Sequence, residues 1–128
     1  MLENSFYTVE KTESFENTYR VGVVLNPSHV IYKAHFPGNP ITPGVCLLQM
    51  ALELLNAKFE RNLRLIEAKS IKYLKVINPL ENPKIEFIIQ YKTENDLIFT
   101  DINIVVGETA FTKVNATYKG ASKHAEKR

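Results

Sequence analysis

The chain has 128 residues, of which 45% are hydrophobic and 23% are charged, a composition typical of one globular domain with an apolar core. The formal net charge of +2 is too small to indicate nucleic-acid binding, and a single cysteine excludes an internal disulfide. No stretch reaches the roughly 18 apolar residues of a membrane helix, and the polar, acidic start lacks the pattern of a secretory signal. We therefore expect a cytoplasmic protein that binds neither nucleic acid nor membranes.

Short extended segments are predicted for the first part of the chain. β-Branched and aromatic residues favour strands at 6–11 and 18–26, separated by the polar stretch SFEN. The sequence Asn-Pro-Ser at 26–28 is a turn signal, and HVIYKAHF at 29–36 predicts a further extended run.

A rigid turn, HFPGNPITPGV at 35–45, leads into an apolar helix. Its prolines fix φ and remove backbone donors, whereas its glycines permit close backbone approach. Apolar side chains then occupy all faces of the predicted helix, which indicates a buried helix. Thr42 is its expected N-cap and Pro43 its first residue, and it is expected to end near Glu60.

The second half of the chain alternates with period two, which predicts long strands. These strands are expected at 63–77, 84–93, 97–107 and 108–119. The last three are closely spaced and so predict antiparallel hairpins or a meander. The result is an α+β fold in which one antiparallel sheet of about six strands curls around a long central helix. We expect a single domain over 1–119, a flexible basic tail over 120–128, and dimerisation through an uncovered sheet edge or face.

Three residues around the turn are candidates for chemistry. Gly44, at the helix start, leaves its N–H open as a cradle for an oxyanion or carbonyl. His35 can exchange a proton near neutral pH, because an unperturbed imidazole has a pKa of about 6.5. Gln49 lies deep in the apolar part of the helix, where we expect it to line a cavity. The alternative interpretation is a proline-rich loop that only caps a core helix, with a packed structural histidine.

The turn and helix resemble the signature of the hot-dog-fold 3-hydroxyacyl-[acyl carrier protein] dehydratases of fatty acid synthesis, roughly G-H-F-P-G-x-P-x-x-P-G-V-x-x-x-E-A-x-A-Q. The likeness is nearly complete over 35–45, and SIKYLKVINPLENP at 70–83 resembles the family's strand and bend after the helix. It implies dehydration of (R)-3-hydroxyacyl thioesters to trans-2-enoyl thioesters by a dimer, without a metal or organic cofactor.

Roles for individual residues follow from this resemblance. His35 would be the base at C2 of the thioester, and Gly44 would donate its N–H to the thioester carbonyl. Phe36, Pro43 and Val45 would contact the substrate. The position of the family's helix acid is occupied here by Gln49, whose carboxamide cannot be a general acid. The nearest acid on the same helix face is Glu53, one turn later, because the sequence reads QMALE at 49–53.

Two hypotheses follow for the missing acid. Either Glu53 supplies the proton from one helical turn away, or His35 returns the proton it took while Gln49 orients the hydroxyl. A thioesterase on the same fold is an alternative, with water activated by Glu53 or held by Gln49. A non-catalytic acyl-binding partner subunit is a third.

The resemblance also implies an acidic carrier protein, or coenzyme A, as the bearer of the acyl group. Residues 58–75 hold six Lys or Arg against two Glu, an excess of 6 − 2 = +4. Such a basic rim would receive the carrier, although ordinary solvated charges are the alternative interpretation.

Overall fold

The computed structural model describes residues 1–34 and 38–121. Within them the chain forms two helices and six strands. The strands are β1 (Tyr7–Phe15), β2 (Thr18–Leu25), β3 (Arg64–Tyr73), β4 (Lys84–Glu94), β5 (Leu97–Val106) and β6 (Thr109–Lys119), and the helices are α1 (Val30–Ala34) and α2 (Gly44–Phe59).

All six strands belong to one antiparallel sheet with the order β1-β2-β4-β5-β6-β3. Strands β4, β5 and β6 form the predicted meander, and their alternating apolar side chains give the sheet one buried face. The buried side of α2 joins that face in a single core. The predicted α+β architecture, a sheet wrapped around one long helix, is thereby confirmed.

Helix α2 begins one residue later than the sequence predicts. Pro43 is its N-cap, with no side-chain capping bond, whereas the hydroxyl of Thr42 is 2.9 Å from that of Tyr32. Thr42 therefore ties the turn to α1 and is not the N-cap. At the other end Glu60 adopts a left-handed conformation, and its N–H bonds to the Asn56 carbonyl to close the helix.

The prediction of an extended run at 29–36 was wrong, because residues 30–34 form α1. Asn26 Oδ1 accepts the N–H of Ser28, and His29 Nδ1 accepts the N–H of Ile31, each at 3.0 Å. These side chains cap a helical turn locally, and that outweighs the β-propensity of the segment. His35 and Phe36 lie outside the described residues, as do 122–128 of the predicted tail.

The sheet leaves one face of α2 uncovered. Val45 is 74% exposed, and Leu48, Gln49 and Leu52 are half-buried, although most of the helix is apolar. The expectation of a helix buried on all sides was therefore wrong for this face. Strand β3, at the sheet edge, runs beside it with mostly exposed side chains.

Candidate active site

The start of α2 is held in place by contacts on both sides of the turn. Thr42 N–H bonds to the Ile77 carbonyl at 2.8 Å, which fixes the approach to the helix. The N–H groups of Cys46 and Leu47 both bond to the Pro43 carbonyl, at 3.0 and 3.3 Å. The N–H groups of Gly44 and Val45 precede these bonds and have no acceptor within the helix. They lie at the positive end of the helix dipole.

Tyr73, the last residue of β3, packs directly against Gly44. A Cβ built on Gly44 would lie 2.5 Å from both Cζ and Oη of the tyrosine. Only glycine at this position lets the phenol lie so close to the helix, and Tyr73 as a whole residue remains 53% exposed. An aromatic hydroxyl therefore stands beside the helix start.

A cavity of about 200 Å³ lies between the uncovered face of α2 and β3. It is lined by Val45, Leu48, Gln49, Leu52, Leu65 and Tyr118. Leu65 and Tyr118 face each other as register partners across β3 and β6. Burial raises the pKa of Tyr118 to about 12, so its phenol is protonated at neutral pH. The lining is apolar apart from this phenol and the amide of Gln49, which suits an acyl chain that carries a polar group.

Glu53 is only 3% exposed and receives four hydrogen bonds from described groups. Oε2 accepts from the Leu2 N–H at 2.8 Å and from Gln49 Nε2 at 2.9 Å. Oε1 accepts from the Glu3 N–H at 2.9 Å and from the Tyr7 hydroxyl at 3.1 Å. These donors match the roughly four lone-pair sites of an ionised carboxylate. We call this set of five residues the Glu53 cluster.

Hydrogen bonding decides the ionisation of Glu53. Burial alone raises its pKa, but the bonds from Leu2, Gln49, Glu3 and Tyr7 outweigh burial and hold the pKa below the usual value. Burial and the neighbouring carboxylate raise the pKa of Tyr7, which therefore stays a protonated donor. At neutral pH the cluster thus contains a buried anion that has no proton to give.

The structure gathers some of the predicted site residues and separates others. Pro43, Gly44, Val45 and Gln49 share the start and uncovered face of α2, while Glu53 turns towards the N-terminal segment. The roles predicted for His35 and Phe36 fall on residues outside the described ranges.

Three residues beside the site were missed by sequence reasoning: Leu65, Tyr73 and Tyr118. Each lies on a long alternating strand, where nothing local distinguishes a cavity-lining side chain from any other. For Tyr73 a signal existed, since it belongs to the basic-aromatic run at 70–73 that follows the helix in sequence. The other two are placed only by the pairing of β3 with β6.

Larger surface cavities lie elsewhere on the molecule. Two of them, of about 310 and 270 Å³, share Gln90, Asp101 and Asn115 on β4, β5 and β6. Asn115 Nδ2 donates to Asp101 Oδ1 at 2.7 Å, so these two side chains already pair with each other. Across residues 1–34 and 38–121 there is no group of three side chains that could hold a metal ion. Nor is any helix in those ranges long and apolar enough to cross a membrane.

Comparison with known sequences gives one family. The sequence model of the ApeI-like family, described as ApeI dehydratase, matches residues 11–111, which is more than half of the chain. No curated protein matches the sequence.

Solved structures share the fold at low sequence identity. The dehydratase heterocomplex ApeI:P from Xenorhabdus doucetiae is 11% identical with a TM-score of 0.65, and the match covers 87% of this chain and 96% of that one. The protein yhdA from Lactococcus lactis, provisionally assigned as a thioesterase, is 12% identical with a TM-score of 0.66 and coverages of 93% and 94%. An uncharacterised protein from Erwinia carotovora is 18% identical with a TM-score of 0.56, covering 91% of this chain and 94% of that one. The predicted hot-dog fold is thereby confirmed, and the match to the ApeI-like family model confirms the likeness to dehydratases.

Proposed function

Because the chain belongs to the ApeI-like dehydratase family, we propose that it removes water from (R)-3-hydroxyacyl thioesters to give trans-2-enoyl thioesters. The observation that carries the proposal is the arrangement at α2. A helix start whose first N–H groups take no part in the helical hydrogen bonds adjoins an apolar cavity of about 200 Å³ that contains one amide. An acyl chain fits such a cavity, and the thioester carbonyl fits the helix start.

In the proposed reaction, His35 takes the proton from C2 as charge moves onto the thioester oxygen. The N–H of Gly44 stabilises that oxygen, a contribution of roughly 3–4 kcal/mol for one well-placed donor. The C2–C3 double bond then forms as the C3–O bond breaks, and the hydroxyl leaves with a proton as water. Phe36, Pro43 and Val45 hold the substrate around the helix start.

The state of Glu53 favours one of the two hypotheses for the proton that leaves with the hydroxyl. A general acid must be protonated at the working pH, whereas hydrogen bonds hold the pKa of Glu53 low. We therefore propose that His35 returns the C2 proton to the hydroxyl, which Gln49 orients, and that Glu53 acts through Gln49.

The acyl group is proposed to arrive on an acidic carrier protein, although coenzyme A offers the same phosphopantetheine arm. In support, the basic residues Arg64, Lys69, Lys72 and Lys75 are all exposed along β3 and just after it.

We propose a homodimer or a higher oligomer of dimers as the working form. The X. doucetiae relative was solved as a heterocomplex, which makes a different partner chain an alternative. A place in fatty acid synthesis stays a prediction.

One assay tests the reaction. The chain is given a 3-hydroxyacyl thioester and, separately, a saturated acyl thioester, each on carrier protein and on pantetheine. We expect enoyl product from the first and no change in the second. The His35→Ala variant should lose at least a hundredfold in kcat/KM, consistent with loss of a general base. His124→Ala is the matched histidine control and should keep full activity. Free thiol would instead identify a thioesterase, and no product from either substrate would identify a binding subunit.

Replacing Gln49 by glutamate tests the assignment of the hydroxyl-facing position. The new carboxyl would lie one turn from Glu53 in a low-dielectric site, and the like charge would raise its pKa. A protonated carboxyl there can donate to the departing hydroxyl, so kcat should rise about tenfold or more. An unchanged or lower kcat in a folded variant would argue against this position as the one that meets the hydroxyl.

A further inference from the structure

Gln49 is a carboxamide whose two ends do opposite chemistry. Its nitrogen only donates hydrogen bonds and its oxygen only accepts them, while the two ends have nearly the same shape. Which end faces a ligand therefore decides whether the site prefers a hydrogen-bond donor or an acceptor. In most half-buried glutamines either orientation is accessible, because the amide can rotate.

Glu53 removes that freedom. As an ionised carboxylate it can only accept, so the group that lies 2.9 Å from its Oε2 must be the amide nitrogen of Gln49. The opposite orientation would place the amide oxygen against a buried anion, and that contact would contain two acceptors and no donor. Because Leu2, Glu3 and Tyr7 hold the carboxylate from the other sides, it cannot turn away to relieve such a contact.

The oxygen of Gln49 is consequently the end of the amide turned away from Glu53. The amide nitrogen has one further N–H, and it too starts from the atom that Glu53 holds in place. The rest of the cavity lining is aliphatic except for Tyr118, whose hydroxyl can rotate to donate or accept and so does not discriminate. Gln49 is thus the one fixed polar group among the residues described for this lining.

We propose that Glu53 is a positioning residue that fixes the amide oxygen of Gln49 as an acceptor, so that the cavity selects ligands with a hydroxyl at this point over the corresponding ketones. Reading that donor as the 3-hydroxyl of the substrate rests on the function proposed above. A 3-ketoacyl ligand would place carbonyl oxygen against amide oxygen and leave both unpaired. Mispairing of this kind typically reduces binding by about ten- to one-hundredfold.

Binding of two non-reactive ligands tests this selection without turnover. They are the 3-hydroxy and 3-oxo analogues of the butyryl-pantetheine substrate in which methylenes replace both the thioester carbonyl and the sulfur, so that neither water nor thiol can be eliminated. Calorimetry should show the wild-type chain binding the hydroxy ligand about ten- to one-hundredfold more tightly. Equal affinities, a preference for the ketone, or binding of neither ligand would overturn the proposal.

Variants separate positioning from folding. Glu53→Gln lets the new amide donate to Gln49 and turn it over, so the preference for hydroxyl should disappear or reverse. Gln49→Met keeps the size but removes both polar ends, so the two ligands should bind about equally. Glu108→Gln is the matched control: it makes the same chemical change at an exposed acid outside the Glu53 cluster, and should keep the preference.

Each further outcome has one meaning. If Glu53→Gln does not fold, the Gln49→Met result decides, and a retained preference there overturns the proposal. A folded Glu53→Gln variant with the wild-type preference also overturns it. A chain that selects the hydroxy ligand but forms no enoyl product contradicts the proposed reaction and leaves the positioning role intact. A chain that dehydrates without selecting contradicts the positioning role alone.

Discussion

At the scale of single residues, Glu53 shows how much a buried charge depends on distant partners. Its hydrogen-bond donors include the backbone of Leu2 and Glu3, about fifty residues earlier in the chain. In the sequence this residue is only an acid in an apolar helix, where helical spacing relates it to Gln49 and Asn56. A catalytic role was the natural hypothesis from spacing. Contacts that only the folded chain creates favour a positioning role.

Glu53 also couples folding to pH. Its pKa is lower in the folded chain than the unfolded value of about 4.3, so between these values the unfolded chain binds more protons. The stabilisation is therefore complete at neutral pH and is lost as the pH falls below about 4.3 and through the folded pKa. We expect Glu53→Gln to cost about 1–3 kcal/mol of unfolding free energy at pH 7, and the gap to wild type to shrink in acid. Denaturant titrations at several pH values measure this; exposed Glu108→Gln should show neither effect.

At the scale of secondary-structure elements, the sequence predicts most strands and the position of α2 because their patterns are long and periodic. It fails at α1, where the side chains of Asn26 and His29 accept hydrogen bonds from backbone N–H groups of the first turn. These bonds outweigh the mixed propensity of five residues. It also cannot reveal that β3 crosses to pair with β6, because strand order depends on long-range packing. That pairing is what brings Leu65 and Tyr118 to the cavity.

The contact between β3 and the start of α2 gives a prediction at this scale. Gly44→Ala adds a Cβ where the Tyr73 ring now lies, so the ring must swing away from the helix. Because the ring is half exposed and movable, the cost should be about 1–2 kcal/mol rather than unfolding. In a double-mutant cycle with Tyr73→Ala, the alanine at 44 should cost nothing further, which gives a coupling energy of about 1–2 kcal/mol. Additive unfolding free energies would contradict the contact.

At the scale of the whole molecule, the sheet has two edges of different character. Strand β1 forms one edge and β3 the other, and each pairs with a single neighbour. The β3 edge adjoins the uncovered face of α2 and exposes Leu65, Ile66 and Tyr73, each by 43% or more. An apolar surface of this kind next to an open edge favours association of copies.

We predict that the copies associate on the β3 side. Ile66→Lys puts a charge on this edge and should weaken dimerisation at least tenfold, measured by light scattering or sedimentation over a range of concentrations. Phe15→Lys makes the matching change on the β1 edge, at a residue that is 73% exposed, and should leave the dimer intact. A wild-type chain that stays monomeric at high concentration, or equal effects of the two variants, would contradict this.

The single cysteine of the chain sets a limit on how such copies can be joined. Cys46 is buried in the first turn of α2, and burial raises the pKa of its thiol. The reactive thiolate is therefore both scarce and shielded in the folded state. Oxidants cannot readily join two folded copies through a disulfide, so the predicted association rests on non-covalent contacts and depends on the protein concentration.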